Sequence, residues 1–431
     1  MKRRVNLFQA AMLRWRALYP YNAVHVVRLA GAPDVAGLRA TLAAHLASLG
    51  LTGLELDPRR QAFEWTGGEP SVELREVETA GDARAALSAE IERELNRAFP
   101  ERGRVDPFRF FVIDLGSAFE LGLAYDHYVA GGDSIVRLMR GIVARLEPSA
   151  RDVTSAGAAP LRRYGPSYAL LLGRQVLPII RGLPALARMA ASCRRAIRMR
   201  FASPQDGYNA FLLERVDADD RARLEGRAHE WGVTTHDLLL AIILKSVSPL
   251  ARPSDETARR NEIAIAAIVN IRADLGAGAK NALAPCLASF RVGHRVPRDM
   301  GMRELAVSVH AQTDVIKRSK RYLQTLVALG LTGFEWAFMS VPQRQRFFPK
   351  HFPVSAGSTP LNVDVLWRDG GATPPLDYVR GVSTGPLAPM VIAFTMVGGA
   401  INIGISFRTT VFVRPAIEGV AADMLRLIRT L

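Results

Sequence analysis

The stretch from Phe108 to Leu146 constrains this chain more than any other part of it. Two apolar, β-rich runs, Phe108 to Leu115 and Ala118 to Tyr125, are separated by Gly116-Ser117, which suits a hairpin. Asp126 and His127 stand immediately after the second run, followed by Tyr128-Val129-Ala130, Gly131-Gly132 and Asp133. From Ser134 a helix to Leu146 is expected. A strand thus delivers a histidine to a loop, two glycines permit a tight backbone turn, and a helix departs. Taken alone, a histidine in such a place is more often structural than catalytic.

The rest of the chain reads as mixed α/β. Its 431 residues, 49% of them hydrophobic, exceed the size at which one core stops growing, so two domains are expected. Val24 to Leu29 reads as a strand, closed by Gly31 and Pro33. Asp34 then caps a helix from Val35 to Ser48, with Leu38, Leu42, His45 and Leu46 on one face. Ala83 to Ala98 is a second helix. Beyond Gly207 come a strand at Ala210 to Val216 and a helix at Ala218 to Trp231. The run Thr234 to Asp237 caps an apolar helix to Val247, and strands follow at Ile263 to Ile271 and Leu361 to Trp367. The uncharged stretch Gly381 to Phe407 alternates strictly from Ala400 and contains Gly398-Gly399, which predicts two paired strands, not a membrane helix. A helix from Pro415 to Leu431 closes the chain. Strands and helices mix without βαβ regularity, which suggests mixed sheets in two α/β lobes, residues 1–152 and 207–431.

Residues 153–206 read as the connection between the lobes. Asp152 and Asp206 bracket 53 residues without an acid, and this stretch holds nine arginines of a chain whose net charge is +15. Arg174, Arg181, Arg188 and Arg195 recur every seventh residue, a spacing that keeps them near one helix face. Pro178 and Pro184 argue against one continuous helix and place a break there, with a second helix starting at Pro184.

Fifty arginines against six lysines predict attraction to something anionic: a CoA-like phosphate, an acidic carrier protein or a lipid surface. Apolar residues interleave with the arginines of 153–206, and the stretch 343–352 sets Phe347, Phe348 and Phe352 beside Arg344, Arg346 and Lys350. Both suit peripheral contact with an anionic membrane, the second as an interface loop with exposed phenylalanines. A nucleic-acid partner would rest on charge alone, without any reading module, and is not expected. Cys193 and Cys286 form no CxxC or Cys/His cluster, so no metal site is expected. Two free thiols in a cytoplasmic protein are the simpler reading, a disulfide the alternative. The stretch after Met1-Lys2-Arg3-Arg4 is interrupted by Asn6, Gln9, Arg14 and Arg16, which argues against a signal peptide. No P-loop, HExxH, GxGxxG after a strand or GxSxG elbow occurs.

The segment Asp126 to Gly132 resembles the HHxxxDG motif of the superfamily of chloramphenicol acetyltransferases, nonribosomal condensation domains, plant BAHD acyltransferases and wax ester synthases. His127 takes the place of the catalytic histidine, Gly132 that of the motif glycine, and Ser134 matches a serine frequent there in condensation domains. Other pieces fall in family order: Tyr21-Asn22 through Leu46, Thr235-His236-Asp237 before Leu-Leu-Leu-Ala, Val269-Asn270-Ile271-Arg272, and Gly385-Pro386-Leu387. The resemblance implies two chloramphenicol-acetyltransferase-like lobes with a channel at their interface. It implies direct acyl transfer from a CoA or phosphopantetheine-carrier thioester to an alcohol or amine, with His127 as general base and no permanently bound cofactor. Ser358, Thr359 and Asn362 are the candidates for oxyanion or acceptor contacts, and Asp237 and Arg272 have structural places. Two departures stand out. Asp126 replaces the first histidine, and Gly131 replaces the aspartate that in the family pairs with an arginine and holds the loop. Either Asp133 takes over that arginine, or the site is a degenerate one in a docking or recruitment protein.

Overall fold

The computed structural model describes residues 2–79, 81–146, 161–251, 259–295, 297–368 and 372–431; the boundary at 152, with Asp152 and Pro160, lies outside them. Three mixed or antiparallel sheets carry the described chain. A five-stranded sheet runs, in spatial order, Asp377–Val382, Asn22–Ala30, Ala118–Asp126, Phe108–Asp114 and Leu74–Val77. A six-stranded sheet runs Leu287–His294, Ile263–Asn270, Ala356–Asn362, Met390–Val397, Ala400–Arg408 and Asn209–Val216. A small four-stranded sheet runs Arg3–Arg4, Ala62–Trp65, Leu54–Asp57 and Gly103–Val105.

The hairpin forms as its sequence requires. Phe108 faces Tyr125 and Asp114 faces Phe119, with the turn at Gly116 in a positive-φ conformation of 81° that favours glycine. Asn22–Ala30 lies on the other side of Ala118–Asp126, Asn22 opposite Asp126. Alternation then splits its side chains: Ala23 and Val27 join the main core, while Val24 and Val26 join a smaller one with Leu87, Ile91 and Leu95. The helix Val35–Ser48 is capped by Asp34 and buries Leu38, Leu42 and Leu46. Each such leucine contributes about 1.5–3 kcal/mol by leaving water. Asp377–Val382 comes from the C-terminal half of the chain yet pairs with Asn22–Ala30, placing Arg380 opposite His25. One strand thus ties the two halves together beside the histidine loop.

Three local expectations are corrected. Leu361 to Trp367 is not a strand: the strand is Ala356–Asn362, and Asn362 then caps a short helix, Val363–Trp367. The Asn362 side chain accepts from the Val365 amide, and Asp364 sits in the first turn, so the capping signal outweighs the β-branched composition. The arginine-rich segment does not break at its prolines: Val176–Arg195 is one helix with Pro184 inside it. Pro178 lies in the first turn, where its missing N–H has no partner to lose. In the turn that Pro184 loosens, Gln324 Nε2 donates to the Ile179 carbonyl at 2.8 Å. Finally, residues 343–352 are not an exposed aromatic loop. Val341–His351 is a helix whose Phe347 and Phe348 are buried against Trp336 and Trp15. The strongly exposed aromatics are instead Phe334 and Phe338 of the preceding segment. The stretch Gly381 to Phe407 holds the end of one strand and the hairpin Met390–Val397/Ala400–Arg408, in line with the sequence reading. Cys193 and Cys286 are both free and buried.

Candidate active site

A cavity of about 270 Å³ lies between the five- and six-stranded sheets. Tyr125, His25, Arg380 and His127 line it from the first sheet and its loop; Ile268, Asn270, Ser358 and Thr359 line it from the second. Trp15, Phe290, Leu329 and Phe348 give much of the remaining wall an apolar character. A larger open cleft beside Arg28, Asp82 and Asn402 contains none of the motif residues.

His127 is held at both ends. Its amide donates to the Tyr21 carbonyl at 3.1 Å, continuing the pairing of the two strands by one residue. Its ring stacks on Tyr21 with centroids 5.4 Å apart and meets the edge of Tyr125 at 5.6 Å. Nδ1 lies 3.2 Å from the Ala130 carbonyl. A carbonyl only accepts, so Nδ1 carries the proton and Nε2 is left with its lone pair. Nε2 has no hydrogen-bond partner among the described residues. Burial pushes the imidazole down to about 4; the Ala130 hydrogen bond opposes this and the Arg380 charge adds to it. His127 is therefore neutral at physiological pH.

The loop is fixed by Asp133 in place of a residue at 131. Arg272 Nε and Nη2 both bond the Asp133 carboxylate, the latter at 3.1 Å, and Nη2 also donates to Ser134 Oγ at 2.7 Å. The same guanidinium donates to the carbonyls of Ala279, Ala282 and Ala284. Asn270 and Arg137 add donors to Asp133 Oδ2, each at 3.3 Å. Neither Gly131 nor Gly132 adopts a positive φ, so they are not needed for the turn's backbone angles. At Gly131 the value is space, since a Cβ would lie 3.2 Å from Asp133 Oδ1; one on Gly132 would stand in ordinary contact, 3.4 Å from Arg380 Nη1. Asp126 points away from the cavity into an ion pair with Arg16, whose helix, Leu7–Arg16, also grips the loop through Gln9 Nε2 on the Tyr128 carbonyl at 3.0 Å.

The other candidates divide. Ser358 lines the cavity, and its buried Oγ has no hydrogen-bond partner among the described residues. Thr359 lines it too, with its carbonyl taken by Arg380. Asn362 is not in the cavity wall; its side chain is spent on the helix cap. Asp237 is also elsewhere: it is fully buried and accepts from Thr234, Thr313, His310 and Lys317. Burial alone would raise its pKa, but these partners outweigh burial and hold it at about 2.

Two cavity residues were not singled out from the sequence. His25 lies on the inner face with Ala23 and Val27, its Nδ1 2.8 Å from Tyr378 Oη. Burial holds it well below the usual imidazole range. Arg380, opposite it, is 3% exposed, and burial pulls it down to about 10. Period-two alternation along Asn22–Ala30 was the available signal for His25. A single arginine bordering an uncharged stretch was the signal for Arg380.

No protein-family model matches this sequence, and no curated protein does either. Solved structures do. The first condensation domain of the calcium-dependent antibiotic synthetase, in complex with a substrate analogue, is 12% identical, with a TM-score of 0.70 over 99% of this chain and 95% of that one. The condensation domain of the monacolin K polyketide synthase MokA is 12% identical, with a TM-score of 0.66 over 100% and 97%. The X-domain solved with OxyB from teicoplanin biosynthesis is 15% identical, with a TM-score of 0.60 over 99% and 92%. The chain has the condensation-domain fold, two chloramphenicol-acetyltransferase-like lobes with mixed sheets, over its whole length.

Proposed function

We propose that this chain is an acyltransferase that moves an acyl group from a CoA or carrier-protein thioester to an alcohol or amine. The observation that carries the reading is His127 in the wall of the cavity between the two sheets, its Nδ1 on the Ala130 carbonyl and its Nε2 without a hydrogen-bond partner among the described residues. Nε2 takes the acceptor's O–H or N–H proton as the acceptor attacks the thioester carbonyl. A C–O or C–N bond forms and an oxyanion develops, to which the otherwise unpartnered Ser358 hydroxyl donates. The intermediate collapses, the C–S bond breaks, and imidazolium His127 returns the proton to the leaving thiolate. No acyl-enzyme is needed. The Asp133–Arg272 pair keeps His127 in place.

The rival reading, a docking module, draws on the X-domain that was solved in complex with OxyB. Metabolite extracts supplemented with acyl thioesters separate the two. An acyltransferase yields at least one ester or amide with wild type that His127→Ala does not make. A docking module yields none with either.

We further infer contact with an anionic lipid surface. Leu177, Ile180 and Leu183 are exposed on Val176–Arg195, and Leu331, Phe334 and Phe338 are exposed on the neighbouring segment. The same helix carries Arg181 and Arg188 and no acid. Met189 and Cys193 from that helix and Leu329 from its neighbour line the cavity, so the exposed apolar faces flank one of its walls.

A further inference from the structure

Arg380 is a buried charge that the proposed reaction does not use. Nε donates to Thr395 Oγ1 at 3.0 Å, and Nη2 donates to the carbonyls of Thr359 at 2.7 Å and Phe394 at 2.8 Å. Nη1 has no hydrogen-bond partner, and no carboxylate pairs with the group, among the described residues. Other buried arginines are matched: Arg109 by Glu94 and Arg272 by Asp133. Arg408 instead lies over the Tyr19 ring at 4.3 Å. Around Arg380 the phenols and imidazoles are neutral, and the Asp133 carboxylate, also in the cavity wall, is taken by Arg272. Burial raises the phenols of Tyr125 and Tyr378 and lowers the imidazoles of His25 and His127. Burying a cation with no counter-charge is unfavourable unless an anion arrives.

The surroundings suit such an anion. Arg380 lines the cavity, as does Gly132, the first residue of the helix Gly132–Leu146. The absent side chain at 132 leaves room beside Nη1, where a Cβ would stand 3.4 Å away. The helix's positive end adds to the attraction there. One unpaired cation matches a singly charged group. A phosphate dianion would need a second, and the charge of Arg291, also in the cavity wall, is already offset by Glu262 through Nη1, although its Nε and Nη2 have no hydrogen-bond partner among the described residues.

We infer that Arg380 binds a free carboxylate carried by the acyl acceptor. The term "acceptor" rests on the transferase reading; the anion site does not. The chemistry has a consequence for the substrate class. An acceptor whose carboxylate is free is not tethered to a carrier through that carboxyl. It enters as a free amino or hydroxy acid and is acylated on its nitrogen or oxygen. Its carboxylate would also offset the Arg380 charge that lowers His127, making the base stronger when the acceptor is bound.

Calorimetry at pH 7 with decanoate, decan-1-ol and decyl phosphate tests the site, since these probes share one apolar tail. Wild type is expected to bind decanoate at least about tenfold more tightly than decan-1-ol, the effect of one charge-assisted hydrogen-bond pair. Arg380→Met should bring that ratio close to one. Because Arg380→Met also removes three inter-strand hydrogen bonds, Gly132→Asp serves as the second variant. It leaves Arg380 intact and supplies an internal carboxylate beside Nη1, and it too should abolish the preference. The inference is overturned if wild type does not bind decanoate, if decanoate and decan-1-ol bind equally, or if the preference survives both variants. A preference for decyl phosphate alone overturns it in favour of a phosphate site. Carboxylate preference without any acyl transfer would leave this site standing and sink the transferase reading; transfer without the preference would do the reverse.

Discussion

Replacing Asp133 with asparagine should be among the most destabilising single changes in the chain. Arg272 and Asp133 have side chains only 9% and 7% exposed, and the pair is bidentate. Asparagine keeps the shape and one acceptor oxygen but removes the charge, leaving Arg272 buried with that oxygen, three carbonyls and Ser134 Oγ as its acceptors. An uncompensated buried partner of this kind costs about 3–5 kcal/mol. Arg272→Met alone should cost a similar amount, but the double variant should cost less than the sum, by about 2–3 kcal/mol of coupling. Urea denaturation of all four proteins measures this, with the slope of the transition unchanged if only the native state is affected. A second arm moves the carboxylate. Gly131→Asp in wild type should destabilise, because its Cβ would already stand 3.2 Å from Asp133 Oδ1. The same change in an Asp133→Gly background should recover part of the loss. An Asp133→Asn cost below about 1 kcal/mol, or strictly additive effects, would refute the claim that this pair holds the histidine loop.

Further consequences follow from buried histidines and the basic helix. His127 and His236 stay neutral down to about 4 in the fold, in each case chiefly because of burial. Against about 6.5 in the unfolded chain, each folded-state pKa is depressed, so stability is full above pH 6.5 and lost as pH falls towards 4. At pH 5 each group should remove about 2 kcal/mol, and His127→Gln should reduce the acid sensitivity measured by thermal unfolding across pH 4.5 to 7.5. For catalysis, the same shift predicts a rate with no limb near pH 6.5 in the free enzyme; a full imidazole titration centred there would contradict the buried, Nδ1-protonated tautomer. Vesicles rich in phosphatidylserine should bind the protein at low salt and release it as salt rises. Phe334→Ser with Phe338→Ser should weaken that binding, and sedimentation showing no binding at low salt removes the lipid proposal.

How much was legible in the sequence differs by element. The hairpin, the strand-loop-helix around His127 and the capped helix Val35–Ser48 were readable because each is set by local periodicity and turn chemistry. The pairing of Asp377–Val382 with Asn22–Ala30 was not, since nothing local tells one buried strand which distant edge it will join. Arg380 entered the site through that pairing, and so it escaped notice. Asp133 as the partner of Arg272 was one of two open alternatives, because whether a carboxylate two residues on can reach depends on the loop's path. The glycine pair was assigned to backbone freedom, yet both glycines have ordinary φ, and only Gly131 stands where a Cβ would crowd its surroundings. Pro184 was over-read as a helix break, since Val176–Arg195 runs through it as one helix.

The central claim is that His127 Nε2 is the base for transfer out of a thioester. The direct measurement is kcat/KM for thiol release from an acyl-CoA or acyl-pantetheine donor with its acceptor, for wild type and a folded His127→Ala variant. The expected loss is at least about 100-fold, the lower end of what a positioned general base supplies. A His127→Ala protein that turns over at close to the wild-type rate would contradict the account.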